Sequence, residues 1–294
     1  MAVSALATAP RSFRLPNGLT VYGLTENDTV MVYRDIFEDD CYRRHGVTIR
    51  DGDCILDIGA NTGLFILYLN KISTSARVYA FEPVPAIFQV LRRNVEAHNK
   101  LSVQLFNVGL SREAQQTPFT YYPRLSNAST MYPDETAAGA RRGRGYVLDQ
   151  IPTLRWPLPL LLSLCPAFLK NAVAERIRRY YLKKQVVTCE LWTLSDFLRD
   201  HAIARVDLLK VDAEQSEQHI LAGLAEEDWP KIRQMVVEVH QGDEATRAMT
   251  ALLRRRGFRT AVAPNPSFPS LSLVYGVRPS GMGKGEQTAA VRAA

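Results

Sequence analysis

From Asp53 onward short apolar runs alternate with amphipathic stretches, and this alternation limits what the chain can fold into more than any other feature. Runs at 53–58, 77–82 and 102–108 enclose stretches of helical periodicity at 63–72 and 85–98. Strands joined through helices must lie parallel, because each crossover returns the chain to the same end of the sheet. After Gly109-Leu110-Ser111 the alternation stops, and it resumes with strand 186–191, helix 194–201, strand 205–212, helix 216–224, strand 234–240 and helix 243–256. The last two apolar runs, 258–264 and 271–277, are separated only by a proline-rich link ending in Phe268-Pro269-Ser270. No helix fits that gap, so these runs pair as an antiparallel hairpin. The expected fold class is α/β: a seven-stranded, mostly parallel sheet whose last strand is antiparallel.

The first strand-to-helix turn, Ile55-Leu56-Asp57-Ile58-Gly59-Ala60-Asn61-Thr62-Gly63, carries the clearest ligand signal. Gly59 and Gly63 permit a tight turn and a close backbone approach. The next strand ends, 23 residues after Gly59, in Glu82-Pro83, where a carboxylate can accept both hydroxyls of a ribose. A dinucleotide turn of G-x-G-x-x-G type needs glycine at what are here Asn61 and Leu64, so a pyrophosphate is disfavoured; there is also no P-loop motif. S-adenosylmethionine is then the favoured cofactor. Asp57 suits its ammonium, and the loop amides of Gly59, Ala60, Asn61 and Gly63 suit the neighbouring groups. Asn107 and Val108, at the third strand tip, are placed to meet an adenine edge. A nicotinamide cofactor, or a glycine-rich turn that binds nothing, stays open at this point.

Later strand tips offer chemistry for an acceptor. Leu208 to Glu214 and Val236 to His240 end two apolar strands in charged residues, and period-2 alternation sets Lys210 with Asp212, and Glu238 with His240, on one face. Charges there need a reason. Methylating a hydroxyl requires a proton acceptor, for which His240 and Asp212 are candidates, with Glu238 and Glu214 beside them. Alternatives are a divalent metal on Asp212, Glu214, Glu238 and His240, or structural pairing with Lys210 and capping of the next helix. No resident metal is expected. Methyl transfer from a sulfonium depends mainly on proximity and alignment, so no single base need be indispensable.

A length of 294 residues with 46% apolar content suits one large core, hence one catalytic domain with an insertion. Cys41, Cys54, Cys165 and Cys189 show neither C-x-x-C nor zinc spacing and fit free thiols in a reducing compartment. Met1 to Pro10 lacks the basic flank and apolar centre of a secretory signal, so a cytoplasmic protein is expected. Of the net charge of +6, the stretch from Arg141 to Lys184 contributes +8 (ten basic, two acidic residues), leaving −2 elsewhere. Basicity thus belongs to an insertion at 112–185, and a nucleic-acid partner is not expected.

That insertion opens with aromatic and hydroxyl-rich residues, of which Tyr121, Tyr122, Met131 and Tyr132, with Trp156 further on, are substrate-facing candidates. The segment Trp156 to Leu169 is too short and proline-broken for a bilayer, which takes about 20 helical residues. A basic helix from Asn171 to Lys184 follows. Together they fit a lid over an apolar substrate, a docking face for an acidic carrier protein, a membrane-surface patch, or a solvated helix face. At the N-terminus, Asn17-Gly18 predicts a two-residue hairpin turn within Phe13–Tyr22, and residues 28–45 a helix over the cofactor. The division is a hairpin-and-helix segment at 1–45, a methyltransferase domain at 46–278, and a disordered tail at 279–294.

Four stretches in order, Ile55 to Gly63, Val78 to Pro83, Leu208 to Glu217 and Val236 to His240, make the chain similar to the FkbM-type S-adenosylmethionine-dependent methyltransferases over roughly residues 28–278. The resemblance implies a Rossmann-like class I methyltransferase fold with S-adenosylmethionine as cofactor. It also implies O-methylation of a hydroxyl on a small natural product of polyketide, nonribosomal-peptide or sugar type. The acceptor would be free or tethered to a carrier protein. Carboxyl, nitrogen and carbon acceptors, and a non-catalytic docking module, are the alternatives. One departure stands out: the family commonly reads D-V-E-G-x-E where this chain has Asp212-Ala213-Glu214-Gln215-Ser216-Glu217. Gln215 in place of glycine narrows that turn and puts a catalytic role for Glu214 in question.

Overall fold

The computed structural model describes residues 10–126, 129–132 and 166–279. Trp156, the remainder of 133–165, and the expected disordered tail beyond 279 lie outside the described residues. The N-terminal hairpin pairs β1 (Arg11–Arg14) with β2 (Thr20–Gly23). Its turn is not the two-residue type expected at Asn17-Gly18. The loop spans 15–19, because Leu15 is buried in the core while Gly18 adopts φ +84° and the Asn17 carboxamide oxygen accepts from the Leu19 N–H. Helix α1 (Glu26–Tyr33), capped by Thr25, runs into one π-helical turn, Arg34–Glu38. It ends earlier than the predicted 28–45 stretch, since Asp40 turns left-handed (φ +49°).

The alternation then runs β3 (Cys54–Ile58), α2 (Leu64–Ile72), β4 (Arg77–Phe81), α3 (Pro85–His98), β5 (Ser102–Phe106), β6 (Gly109–Ser111), β7 (Gln115–Tyr121). After the insertion come α4 (Ala167–Tyr181), β8 (Gln185–Thr193), α5 (Leu194–Asp200), β9 (Leu208–Val211) and α6 (Glu217–Ala222). The chain closes with β10 (Gln234–Val239), α7 (Gly242–Arg255), β11 (Arg259–Pro264) and β12 (Ser272–Val277). The main sheet has seven strands in the order β11-β12-β10-β9-β3-β4-β5, and β12 alone runs against its neighbours. This is the expected sheet, with the last strand antiparallel and seated between β11 and β10.

One strand falls elsewhere. The run at 186–191, expected to resume the parallel alternation, belongs to β8, which forms a second sheet in the order β6-β8-β7. There β7 and β8 pair antiparallel from Gln115↔Leu191 to Tyr121↔Gln185, so the insertion leaves the sheet framework after Tyr121 instead of after Ser111. The physical reason is burial: several alternate residues of β8 face solvent, as in a half-covered antiparallel strand, whereas all of β3 and β9 are buried.

Strand geometry sends alternate residues of β3 to opposite faces. Leu56 and Ile58 join a layer with Phe197 of α5, Ile220 of α6 and Leu253 of α7; Ile55 joins the other layer, with Leu64 to Leu69 of α2 and Ile36. Asp57 shares the second face by the same period. No helix among the described residues is long and apolar enough to cross a membrane. From β3 the chain moves outward to β4 and β5, then returns to the other side as β9 and β10. The switch in strand order therefore lies between β3 and β9, and a crevice opens there at the carboxyl ends.

Candidate active site

The loops after β3 and β9 touch across this crevice. A Cβ on Gly59 would lie 1.7 Å from the Asp212 carbonyl oxygen, and Gly59 itself has φ +75°, so only glycine fits. The Gly59 and Ala60 N–H groups donate to the Phe81 carbonyl at 3.1 and 2.9 Å, which draws the turn toward the tip of β4. Glu82 stands at that tip, buried, accepting from the Asn61 N–H at 3.1 Å and the Val84 N–H at 2.9 Å. Burial pushes its carboxyl up to about 7, against the pull of those two N–H groups. Asn94 of α3, fully buried, ties the turn to the hairpin by donating to the Thr62 and Tyr22 carbonyls at 2.8 Å.

Charged groups meet at the tips of β9 and β10. Lys210 Nζ is 2.9 Å from Asp57 Oδ1, 3.2 Å from the Gly59 carbonyl and 3.7 Å from Asp212 Oδ2. Burial opposes the Lys210 cation, but Asp57 and Asp212 outweigh it and its pKa is raised; burial raises Asp57, with Lys210 opposing. Tyr42, buried among Phe65 and Lys210, donates to Asp212 Oδ2 at 3.0 Å. Glu238 Oε1 accepts from Asn265 Nδ2 at 2.9 Å, and burial followed by the nearby Asp212 holds its carboxyl well above the usual range. His240 lies between two acids, Nδ1 2.8 Å from Glu217 Oε1 and Nε2 3.4 Å from Glu214 Oε2. Burial disfavours the imidazolium, yet Glu214 and Glu217 prevail and hold His240 well above its ordinary value.

One cavity of about 360 Å³ joins these two ends. Gly59, Ala60, Asn61, Glu82 and Pro83 line it at one end, and Lys210, Asp212, Glu214, Glu238 and His240 at the other. Apolar wall comes from Met31, Val32 and Ile36 of the N-terminal helix, Leu125 and Met131 of the strap after β7, and Phe268 of the β11–β12 link. Asp35 also lines it; burial pushes its carboxyl up to about 6, and its partner is the Ser267 hydroxyl. Ligand atoms of Asp212, Glu238 and His240 lie within 4.8 Å of one another, so these three can hold a metal ion. An ion would compete with Glu214 for His240 Nε2.

Several expected site residues stand behind the wall rather than in it. Asp57 is fully buried, its Oδ1 2.9 Å from Lys210 Nζ, and is not among the residues that line the cavity. Gly63 packs on Leu91. Asn107 donates to the Glu82 and Pro83 carbonyls and Val108 is buried in the core; their neighbours Gly109 and Leu110 reach the cavity instead. Among the described substrate candidates only Met131 lines it. Tyr121 is buried in a core layer with Val84 and Cys189, Tyr122 hydrogen-bonds Ser129 through its N–H, and Tyr132 stacks on His219 near the surface. Asn265 escaped the sequence reading, while Tyr42 and Asp35, within the 28–45 stretch expected over the cofactor, and Glu217, at the end of the third motif, were given no site role there. Tyr42, Asp35 and Asn265 lie outside the four motifs, and nothing local distinguishes a buried Tyr from a core one.

The departure at Gln215 is accommodated without glycine. Glu214 and Gln215 both take left-handed backbone, φ +46° and +79°, with the Gln215 N–H donating to Glu217 Oε1 at 3.0 Å. Left-handed backbone costs a side-chain-bearing residue about 1–2 kcal/mol, part of which glycine's greater freedom when unfolded offsets. Gln215→Gly is therefore expected to stabilise the fold by about 0.5–1 kcal/mol. Urea unfolding reads this directly, and a lowered midpoint would show that no strain resides in the turn.

A mostly parallel sheet with one antiparallel strand, bearing a glycine turn and a buried carboxylate at its switch point, defines a Rossmann-like class I methyltransferase that uses S-adenosylmethionine. Residues 57–260 match the family described as Methyltransferase FkbM domain, and the chain belongs to that family. It is 35% identical over 265 residues to 31-O-demethyl-FK506 methyltransferase FkbM of Streptomyces tacrolimicus, covering 87% of this chain and 92% of that protein. Methyltransferase sdnD of Sordaria araneosa is 33% identical, with 82% and 86% covered. A stretch of AMB antimetabolite synthetase AmbE of Pseudomonas aeruginosa is 35% identical over 84% of this chain, which is 11% of that protein.

Proposed function

We propose that the protein methylates a hydroxyl of a small, largely apolar natural product. The observation that carries the proposal is one continuous cavity, with a ribose-type carboxylate at one end, Asp212 at the other and an apolar wall between. The residues fit the cofactor: Glu82 is buried and held by two N–H groups beside the Gly59 turn, an arrangement suited to a vicinal diol. S-adenosylmethionine, when bound, supplies a methyl group activated on a sulfonium. Glu82, Pro83 and the Gly59–Asn61 turn would hold it, while the apolar wall seats the acceptor and excludes water.

As the oxygen–methyl bond forms, the hydroxyl must lose its proton. Asp212 is the better placed acceptor, because both ring nitrogens of His240 already face carboxylates. Tyr42 and Lys210 orient Asp212, and His240 offsets the surrounding negative charge. Asp212→Asn is expected to lower turnover by about 10²–10⁴-fold while S-adenosylhomocysteine still binds in calorimetry. Turnover equal to wild type removes Asp212 from that role. A screen of hydroxylated apolar compounds with methyl-labelled donor, read by mass spectrometry, tests the reaction; products labile to mild base would point to carboxyl esters instead. The relatives' names support small-molecule acceptors, and the match inside a synthetase supports an acceptor presented on a larger assembly.

One observation favours a second reading, in which a divalent cation on Asp212, Glu238 and His240 lowers the pKa of the hydroxyl. Activity that is lost on chelation and restored by magnesium or manganese would establish it, and activity indifferent to chelator would exclude it.

A further inference from the structure

No described residue of the insertion's basic helix lines the cavity, and the catalytic reading leaves the helix unused. Helix α4 carries Lys170, Arg176, Arg178 and Arg179, and Lys183 and Lys184 follow it, against one acid, Glu175, which pairs with Arg179 at 3.0 Å. Residues 166–186 thus hold +5 of the chain's net +6. Exposed apolar side chains crowd the same place: Phe168 is 74% exposed, Leu169 42% and Tyr180 57%, and Val186 on the adjoining strand is 66% exposed. Elsewhere among the described residues only Tyr132 and Val262 are large, apolar and exposed. A solvated helix face would carry the charge without the Phe and Val.

One strap connects the patch to the cavity wall. The Arg124 guanidinium lies 4.1 Å from the Tyr180 ring centroid and donates to the Tyr180 carbonyl at 3.3 Å. The next residues, Leu125 and Ser126, line the cavity, and Ser126 is fastened to the N-terminal helix through Asp28. Whatever docks on α4 therefore sits one strap away from the acceptor end.

We propose that α4 and the start of β8 form the docking face for an acidic carrier domain, which holds the acceptor on a flexible thioester arm and feeds it past the Leu125 strap. The proposal deepens the small-molecule methylation argued above and rests on it for the cargo. The basic side chains steer a negatively charged partner, and Phe168, Leu169 and Val186 supply the apolar contact that charge alone lacks. A nucleic acid would use the charge but leave aliphatic Leu169 and Val186 unpaired with bases, so a protein surface fits better.

The test uses the full chain with a phosphopantetheinylated acyl carrier protein of net negative charge, a single-stranded RNA and phosphatidylglycerol vesicles as probes, followed by fluorescence anisotropy. The carrier should bind in a salt-dependent manner. The double variant Arg176→Glu, Lys183→Glu should weaken it about tenfold or more, and Phe168→Ser should weaken it at constant salt dependence. Carrier binding that is undetectable, or equal in wild type and charge-reversed protein, overturns the proposal, as does tighter binding of RNA or vesicles. Calorimetry with S-adenosylhomocysteine runs alongside on every variant. Unchanged binding shows that the variants fold; a wild type that binds carrier but no S-adenosylhomocysteine overturns the methyl-transfer reading while leaving the docking face.

Discussion

Gly59→Ala should abolish measurable methyl transfer and weaken S-adenosylhomocysteine binding more than any other single-methyl change in the chain. The added Cβ has nowhere to go: the Asp212 carbonyl oxygen and carbon lie 1.7 and 2.8 Å from its ideal position, and both belong to backbone. The φ of +75° adds a left-handed penalty of about 1–2 kcal/mol. To relieve the clash, the β3 loop and the β9 loop must part, which separates Asn61 and its bond to Glu82 from Lys210 and Asp212. A displacement near 1 Å at a reacting centre costs about 100-fold in rate, so loss beyond that is expected. Gly18→Ala, in the open hairpin loop, shares the positive φ but meets nothing within 4 Å and serves as the control. If both variants bind S-adenosylhomocysteine equally well, the contact between the two loops has no part in the donor site.

Lys210→Met is expected to destabilise the fold by about 3–5 kcal/mol, the range for stripping one partner from a buried ion pair. Lys210 is 3% exposed and Asp57 fully buried, and Asp57 Oδ2 already lacks a partner. Methionine fills the volume but leaves the carboxylate without its cation. The pH dependence follows from Asp57, whose pKa burial raises above the unfolded value while Lys210 opposes the rise. With the lysine gone, the folded variant keeps a proton that the unfolded chain has released, so its stability is greatest at acidic pH and falls as pH rises between the two pKa values. In the wild type Lys210 acts at the alkaline end: its raised pKa adds stability that is complete below the unfolded lysine value of about 10.4 and is lost as pH rises through the folded one. Urea unfolding at acidic and at mildly alkaline pH separates these cases. An equal loss at both would mean that the pKa of Asp57 in the folded variant is not raised above its unfolded value.

The sheet was legible because its cause is local. Short runs such as Cys54–Ile58 and Leu208–Val211 are apolar apart from Asp57 and Lys210 and are buried along their whole length, as strands covered on both faces are, and the link between β11 and β12 is too short for a helix. Strand 186–191 misled for the same reason. Its composition resembles a core strand, but its partner β7 comes from a stretch that shows no helix-to-strand alternation, and only pairing assigns it to the second sheet.

The donor end was largely written in one contiguous turn and one strand tip, so Gly59, Asn61 and Glu82 could be named from spacing. The acceptor end was half legible. Asp212, Glu238 and His240 declared themselves as charges ending apolar strands, a pattern that carries its own energetic cost and so demands a role. Their roles could not be read. That Lys210 belongs chiefly to Asp57, 153 positions away in the chain, that Tyr42 reaches Asp212 across 170, and that Glu217 and Glu214 occupy both nitrogens of His240 depend on how distant loops converge. Periodicity and turn chemistry act over a few residues, and therefore the sequence by itself determined the alternating sheet, the glycine turn and the identity of the charged tips. Hydrogen bonds and ion pairs at the switch point join residues that are far apart in the chain, and therefore only the tertiary structure decided which tip touches the cavity, which props another, and where the basic helix stands relative to both.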